Sequence, residues 1–215
     1  EMFKISRLGM QHTVPLTTNF KILRYLSATA GTNFQESWVF ETIKRSYDSD
    51  ANEGAGAVVQ DTIKGFDAFR TYNFSTSLGT VIYGTFQFKK GSKIEAIRHT
   101  VRPSVTYNIT PAFSEFYDTY TIPDNPDTTV DETEVVEYSR FEGGAFGAPG
   151  NTFSSSIGFS LSYKVEMKVR NKDSTATEAK KITILNNLNF STSYNIAGDS
   201  LNLSPISVSG YIPII

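Results

Sequence analysis

The stretch that decides the fold runs Ile157-Gly158-Phe159-Ser160-Leu161-Ser162-Tyr163-Lys164-Val165-Glu166-Met167-Lys168-Val169. Apolar and polar side chains alternate through it without an exception. Because successive β side chains point to opposite faces, one face of this segment is wholly apolar and the other is small, polar or charged. Ordinary strands have roughly five or six residues, whereas about nine to eleven tilted residues cross a bilayer. The stretch therefore predicts a membrane-spanning β-strand.

The same alternation recurs along the chain with turn-like residues between the copies. The apolar positions that share a parity are Val14, Leu16, Phe20 and Ile22; Leu26, Ala28, Ala30, Phe34, Trp38 and Phe40; Phe66, Ala68, Tyr72, Phe74 and Leu78; Ile97, Val101, Pro103, Val105, Tyr107 and Ile109; Ile182, Ile184, Leu188, Phe190, Tyr194 and Ile196. Arg70 and His99 interrupt these apolar sets. The apolar residues change from odd to even positions at Pro205, from Leu201 and Leu203 to Ile206, Val208 and Ile212, which predicts a bulge. With weaker segments at 81–89 and 115–122, the pattern predicts an all-β fold of about nine antiparallel strands from a larger barrel.

Composition agrees with a transmembrane barrel. The 215 residues have a formal net charge of -2, a mean hydropathy of -0.24 and no cysteine. The chain lacks the long apolar run of a transmembrane helix and the basic bias of a nucleic-acid-binding protein. Barrel strands escape hydropathy plots because half of each strand is polar. Since no signal peptide is visible, we expect residues 1–215 to be one partial outer-membrane barrel domain.

The predicted connections differ in length. Short links are expected at 23–25, 77–80 and 111–113, and broad ones at 48–60 and 123–151. Outer-membrane barrels have short periplasmic turns and longer external loops, so the broad links are assigned to the outside. The link at 170–181 is longer than this scheme predicts. The second broad loop is acidic and is expected to be solvated, with divalent-cation binding as the alternative; its acidic residues are Asp124, Asp127, Asp131, Glu132, Glu134 and Glu137.

Nothing in the chain predicts catalysis. His12 and His99 are distant in sequence, and no GxSxG, HExxH, CxxC or phosphate-binding glycine loop is present. Carboxylates cluster only in the acidic loop, where mobile geometry would not tune their pKa values. We expect a protein that is not an enzyme and uses neither cofactor nor metal.

Several segments resemble a known family. Residues 97–107 carry an RH-x-x-x-PSV-x-Y pattern that is followed by Pro111 to Phe113. Further matching segments are Ser139-Arg140-Phe141-Glu142-Gly143-Gly144, 156–162, 166–170, 189–195, 199–202 and 204–207. Together they are similar to lipopolysaccharide-assembly outer-membrane proteins of the LptD type, in the form found in Bacteroidetes-like bacteria.

The resemblance implies a transport machine in the cell outer membrane of a Gram-negative, Bacteroidetes-like bacterium. In that family the barrel receives lipopolysaccharide from periplasmic bridge proteins and inserts it into the outer leaflet. A lipoprotein of the LptE type plugs the lumen. The implied partners are thus lipopolysaccharide, the plug lipoprotein, the bridge proteins and membrane lipid, with no nucleic acid. The family also has a periplasmic β-jellyroll before its barrel, and we expect residues 1–215 to contain no counterpart of this N-terminal jellyroll. Proteobacterial relatives carry disulfide-forming cysteines, which this chain lacks.

Charged residues on the polar faces suggest how such a wall would act. Arg98, Arg102, Lys164 and Lys168 could guide an anionic lipid head group, with Glu166 among them. The same residues could equally pair with neighbours or contact the plug lipoprotein. Proline lacks an amide donor, so Pro103 and Pro205 are predicted to weaken local strand pairing; bulge or edge positions without gating are the alternative.

Two other functions remain open from the sequence. A porin or receptor-type barrel that passes solutes would show the same strands. A soluble β-sandwich that binds partners would also alternate, but its apolar faces would stack against each other in a dry interior. The placement of the apolar faces therefore distinguishes a membrane wall from a sandwich.

Overall fold

The computed structural model describes residues 7–123, 133–170 and 179–213. These residues form ten strands and two 3-10 helices, Asn52–Gly54 and Ser114–Phe116. The strands are β1 (Gly9–Ile22), β2 (Leu26–Asp48), β3 (Ala57–Gly79), β4 (Ile82–Gln87), β5 (Ile94–Thr110), β6 (Tyr117–Pro123), β7 (Thr133–Ser139), β8 (Ser154–Val169), β9 (Lys180–Asn195) and β10 (Ser207–Tyr211). No helix among the described residues is long and apolar enough to cross a membrane.

The strands build one large antiparallel sheet and one hairpin. The order of the large sheet is β1-β2-β3-β5-β8-β9-β10, with β4 also paired to β5, and β6 pairs with β7 separately. In the described part of the chain the sheet is open, with β1 and β10 at its two ends. The all-β antiparallel prediction is confirmed, with ten strands where about nine were expected.

The chain divides into two compact units. The first comprises the described residues of Glu1–Leu16, Thr32–Asn73 and Thr110–Phe153, and the second those of Thr17–Gly31, Phe74–Ile109 and Ser154–Ile215. The first contains the start of β1, most of β2 and β3, and the β6-β7 hairpin. The second contains the end of β1, the start of β2, the end of β3, and β4, β5, β8, β9 and β10.

The predicted tight turn at 77–80 is wrong, because the chain does not reverse there. Gly79 lies opposite Ser104 and Ile82 lies opposite Val101, so β3 and β4 follow β5 in one unbroken register. The reversal comes later, where the Phe88 amide bonds the Glu95 carbonyl (3.0 Å) and Gly91 has a φ of +99°.

The short link predicted at 111–113 is also not a reversal. β5 is followed by the 3-10 helix Ser114–Phe116 and the β6-β7 hairpin before the chain enters β8. The Phe113 amide bonds the Gly150 carbonyl (3.0 Å), which closes the base of this long excursion. The connection from β5 to β8 therefore comprises residues 111–153, and this segment is called the excursion below.

Two irregularities shift the side-chain parity in the second unit. Tyr194 lies opposite Leu203 but Ser191 lies opposite Ser207, so one extra residue is inserted around Pro205, as the sequence predicted. A second shift surrounds Asn187, which has a φ of 63°. It moves Leu185 onto the same face as Val165 and Leu161, a position that strict alternation of β9 does not predict.

The small hydrophobic core lies in the first unit. Val39 of β2 and Phe69 of β3 contact Phe141, which is 1% exposed, and Phe116 and Phe146 pack around them. Val39 and Phe69 lie on the faces of β2 and β3 that carry mostly polar side chains. The alternation pattern therefore did not predict that they are buried. The excursion thus covers the side of these strands that was predicted to be polar.

Candidate functional site

The apolar face of the second unit is exposed. Leu161 of β8 lies opposite Phe190 of β9, and Phe190 lies opposite Val208 of β10. Phe159 is 45% exposed and Val208 is 59% exposed. A sandwich would bury such a row, whereas the wall of a transmembrane barrel turns it toward lipid.

The opposite face of the same strands carries small polar side chains. Ser160 lies opposite Ser191, Ser162 opposite Asn189, and Gly158 opposite Ser193. The Ser104 and Ser160 hydroxyls are 2.6 Å apart, which ties β5 to β8 on this face. Small hydroxyl and amide side chains of this kind are typical of a water-lined barrel interior.

A charged cluster occupies the end of this polar face. Arg98, Glu166, Lys168 and Lys181 line one cavity of 240 Å³ with Thr85 and Ala96. The Lys164 ammonium donates to Glu166 Oε1 (2.8 Å), and the Lys168 ammonium lies 3.4 Å from Glu95 Oε2. Counting Arg98, Lys164, Lys168 and Lys181 against Glu95 and Glu166, four cations face two carboxylates. The cluster can therefore attract an anionic group.

Most of the predicted wall residues converge on this cluster. The cluster contains Arg98, Lys164, Glu166 and Lys168. Lys164 pairs with Glu166, two residues further along the same strand, and not with a residue of a neighbouring strand. Arg102 has the parity of Arg98 on β5, and its side chain is exposed. Its part in the site stays a prediction.

The cluster also contains residues that the sequence did not indicate. Lys181 comes from β9, Tyr83 from β4 and Glu95 from the start of β5. The Arg98 guanidinium lies over the Tyr83 ring at 4.5 Å. The antiparallel register of β4 with β5 pairs Thr85 with Arg98, which places that segment beside the site. Segment 81–89 alternates too weakly for its faces to be assigned from sequence.

Both predicted strand-weakening prolines sit at irregular points. The Thr80 amide bonds the Pro103 carbonyl (3.3 Å), and the break between β3 and β4 lies opposite this proline. Pro205 lies just before β10, in the segment that carries the extra residue. Neither proline can donate a ladder hydrogen bond, and their strand-weakening role stays a prediction.

The acidic segment 123–151 forms no metal site in the part that the structure describes. Asp124, Asp127, Asp131 and Glu132 lie outside the described residues. Glu137 accepts a hydrogen bond from the Asn151 amide. No group of three or more potential metal ligands occurs in ranges 7–123, 133–170 and 179–213.

Comparison with known proteins adds to this geometry. The sequence pattern of the family described as LptD protein matches residues 1–215. The chain belongs to the LptD protein family. LptD proteins carry out transport of lipopolysaccharide at the outer membrane of Gram-negative bacteria, so the exposed apolar face and the polar face are those of an LptD barrel segment.

No curated protein and no solved structure was found that matches the chain. The assignment therefore combines the family match over the full sequence with the strand geometry. Lipopolysaccharide is the substrate, and the role of individual wall residues has to be argued from their placement.

Proposed function

We propose that this chain forms part of the barrel wall of a translocon that inserts lipopolysaccharide into the outer leaflet, with a plug lipoprotein of the LptE type in the lumen. Periplasmic bridge proteins would deliver the lipid, and the cell would be a Bacteroidetes-like bacterium. Residues 1–215 would belong to one outer-membrane barrel domain. The observation that carries the proposal is a cationic cluster on the polar face of strands whose other face is apolar and exposed.

The cluster supports a guiding role for the wall. A phosphorylated glycolipid has an anionic head and apolar tails, so it needs cations on a hydrated surface and an apolar route for the tails. Arg98, Lys168 and Lys181 line the same cavity on the polar face. Arg102 would extend the positive surface along β5.

Pro103 and Pro205 would ease the opening of the wall. Each lies where pairing is already interrupted, at the break between β3 and β4 and before β10. A sheet with missing ladder bonds separates at lower cost than a continuous one.

The test reverses charge on the polar face of the full protein. Arg98→Glu combined with Lys168→Glu is expected to lower the amount of newly made lipopolysaccharide at the cell surface, measured by accessibility to an outer-leaflet-modifying enzyme. Arg70→Glu is the control, since Arg70 shares the parity of the apolar residues of β3 and not that of the polar face. There it pairs with Glu36 (3.5 Å). Equal surface lipopolysaccharide in both variants at equal protein levels would contradict the proposal.

A photo-cross-linking residue distinguishes lipid transport from a solute pore. Placed at Arg102 or Thr85, it is expected to label lipopolysaccharide, whereas at Phe159 it is expected to label membrane phospholipid. A porin would instead show solute conductance in planar bilayers and no lipopolysaccharide adduct at the two polar-face positions.

A further inference from the structure

The strand β4 has one free edge. It pairs with β5, and in the described part of the chain no strand pairs on its other side. The Thr80 hydroxyl donates to the Tyr25 carbonyl (2.8 Å), which places the β1-β2 turn beside the start of β4. β2 starts at Leu26, directly after this turn. The six residues of β4 therefore extend beyond the first residue of β2 and have no β2 residue beside them.

The hydrogen-bond pattern shows which backbone groups face the free side. The amides of Thr80 and Phe88 bond β5 carbonyls, at 3.3 Å and 3.0 Å. Antiparallel residues alternate between bonded and non-bonded pairs, so Ile82, Gly84 and Phe86 also bond toward β5. Tyr83, Thr85 and Gln87 therefore direct their N–H and C=O groups away from the sheet.

This edge lacks the usual protection against pairing. Free edges normally carry charges, prolines or bulges. β4 reads Ile82-Tyr83-Gly84-Thr85-Phe86-Gln87, with no charge and no proline, and all six residues are exposed. By contrast, β1 contains Pro15 and Lys21, and β10 lies between Pro205 and Pro213.

The side chains around the edge specify what would pair with it. Ile82 and Phe86 lie on the apolar face with Val101 and Ile97, whereas Thr85 lies opposite Arg98 on the polar face. Lys89 and Lys90 follow the strand after Phe88. An added strand that matches this edge needs apolar residues on one face and carboxylates on the other.

We propose that the edge of β4 is a docking site for an extended segment of a second protein, one that alternates apolar and acidic side chains and adds to the sheet as a further strand. Backbone hydrogen bonds from Tyr83, Thr85 and Gln87 would hold it, and Lys89 and Lys90 would select the acidic partner. The ligand is a polypeptide, so this inference goes beyond transport of lipopolysaccharide.

The test uses the full protein in lipid nanodiscs and two synthetic peptides, one alternating valine with glutamate and one alternating valine with lysine. The valine-glutamate peptide is expected to slow amide exchange at Tyr83 and Thr85 and to bind about tenfold more tightly than the other, a difference of about 1.4 kcal/mol. The amides of Ile82 and Phe86 already bond β5 and serve as internal references. Equal binding of the two peptides, or protection of Tyr83 and Thr85 before peptide is added, overturns the proposal.

Matched variants separate the edge from the fold. Thr85→Pro removes an outward amide and is expected to abolish protection, while Thr85→Val keeps the amide and the peptide site. Lys89→Glu with Lys90→Glu leaves the strand unchanged and is expected to reverse the peptide preference, so an unaltered preference counts against the proposal. If Tyr83→Cys forms disulfide-linked dimers without peptide, and Thr85→Pro prevents them, the occupant is a second copy of the protein and the proposed partner is wrong.

Discussion

Arg140 is the residue that fastens the excursion in the first unit. Its Nε bonds Asp67 Oδ2 of β3 (2.9 Å), Nη1 donates to the Glu115 carbonyl (3.2 Å), and the guanidinium lies 4.9 Å from the Phe141 ring centre. Arg140→Ala removes the ion pair, the hydrogen bonds and the cation–π contact. Because the site is partly shielded, we expect a loss of about 1–2 kcal/mol in the local free energy of opening.

Amide exchange at Ile43 and Gly144 measures that loss, since Ile43 bonds the Arg140 carbonyl and Gly144 bonds the Phe141 carbonyl. Arg70→Ala is the control. Its side chain is 65% exposed, so loss of its pair with Glu36 is expected to change stability by less than about 0.5 kcal/mol. Equal effects of the two substitutions would show that Arg140 does not hold the excursion.

Tyr117 makes the hairpin sensitive to alkaline pH. Burial raises the pKa of its phenol above 10.0, and the charges of Glu137 and Glu142 raise this pKa further. The neutral phenol donates to the Pro149 carbonyl (2.6 Å). Its stabilising contribution is therefore complete below pH 10 and is lost as the pH rises through the raised folded pKa. Tyr117→Phe removes this contribution.

The difference between the alkaline absorbance titrations of the native protein and Tyr117→Phe isolates this one phenol. We expect it to ionise above pH 10, with the stability of the hairpin falling over the same range. Ionisation at or below pH 10 would show that the phenol is not shielded.

At the scale of the element, Asn187 sets the register of β9. Its φ of 63° is costly for most residues but is tolerated by asparagine, and its Oδ1 accepts a hydrogen bond from the Ser162 hydroxyl (2.8 Å). We expect Asn187→Val to lower the free energy of unfolding by about 1–3 kcal/mol, because a β-branched side chain resists this conformation. Asn187→Gly is expected to cost less.

Urea unfolding of the protein in detergent gives these differences. Asn189→Val, in the regular part of the same strand opposite Ser162, is the control. If valine at 187 is no worse than valine at 189, the bulge does not depend on the left-handed conformation of Asn187.

At the scale of the whole molecule, the two faces of β8 are expected to respond differently to charge. Leu161 lies on the apolar face opposite Phe190, and Ser160 lies on the polar face opposite Ser191. Lysine on the lipid side of a barrel costs about 2–4 kcal/mol near the bilayer centre, whereas a lumenal lysine remains hydrated. Leu161→Lys should therefore impair folding into lipid vesicles far more than Ser160→Lys.

Urea titration of vesicle-folded protein, followed by the shift of the folded band on gels, measures the difference. The result that would contradict the membrane orientation is a larger loss for Ser160→Lys than for Leu161→Lys. That outcome would place the serine face, and not the leucine face, in the lipid.

The sequence by itself determined which side chains share a face, because alternation along an extended strand is a local property that needs no partner. It therefore yielded the all-β fold, the apolar wall, the positions of Arg98, Lys164, Glu166 and Lys168, and the parity change at Pro205. Tertiary structure decided how strands pair. Only the register with β5 shows that β4 continues β3. Only long-range contacts bring Lys181 and Tyr83 to the cluster, Lys168 to Glu95, and Phe141 onto Val39 and Phe69. Such contacts depend on hydrogen bonds and packing between distant segments, which no local pattern records.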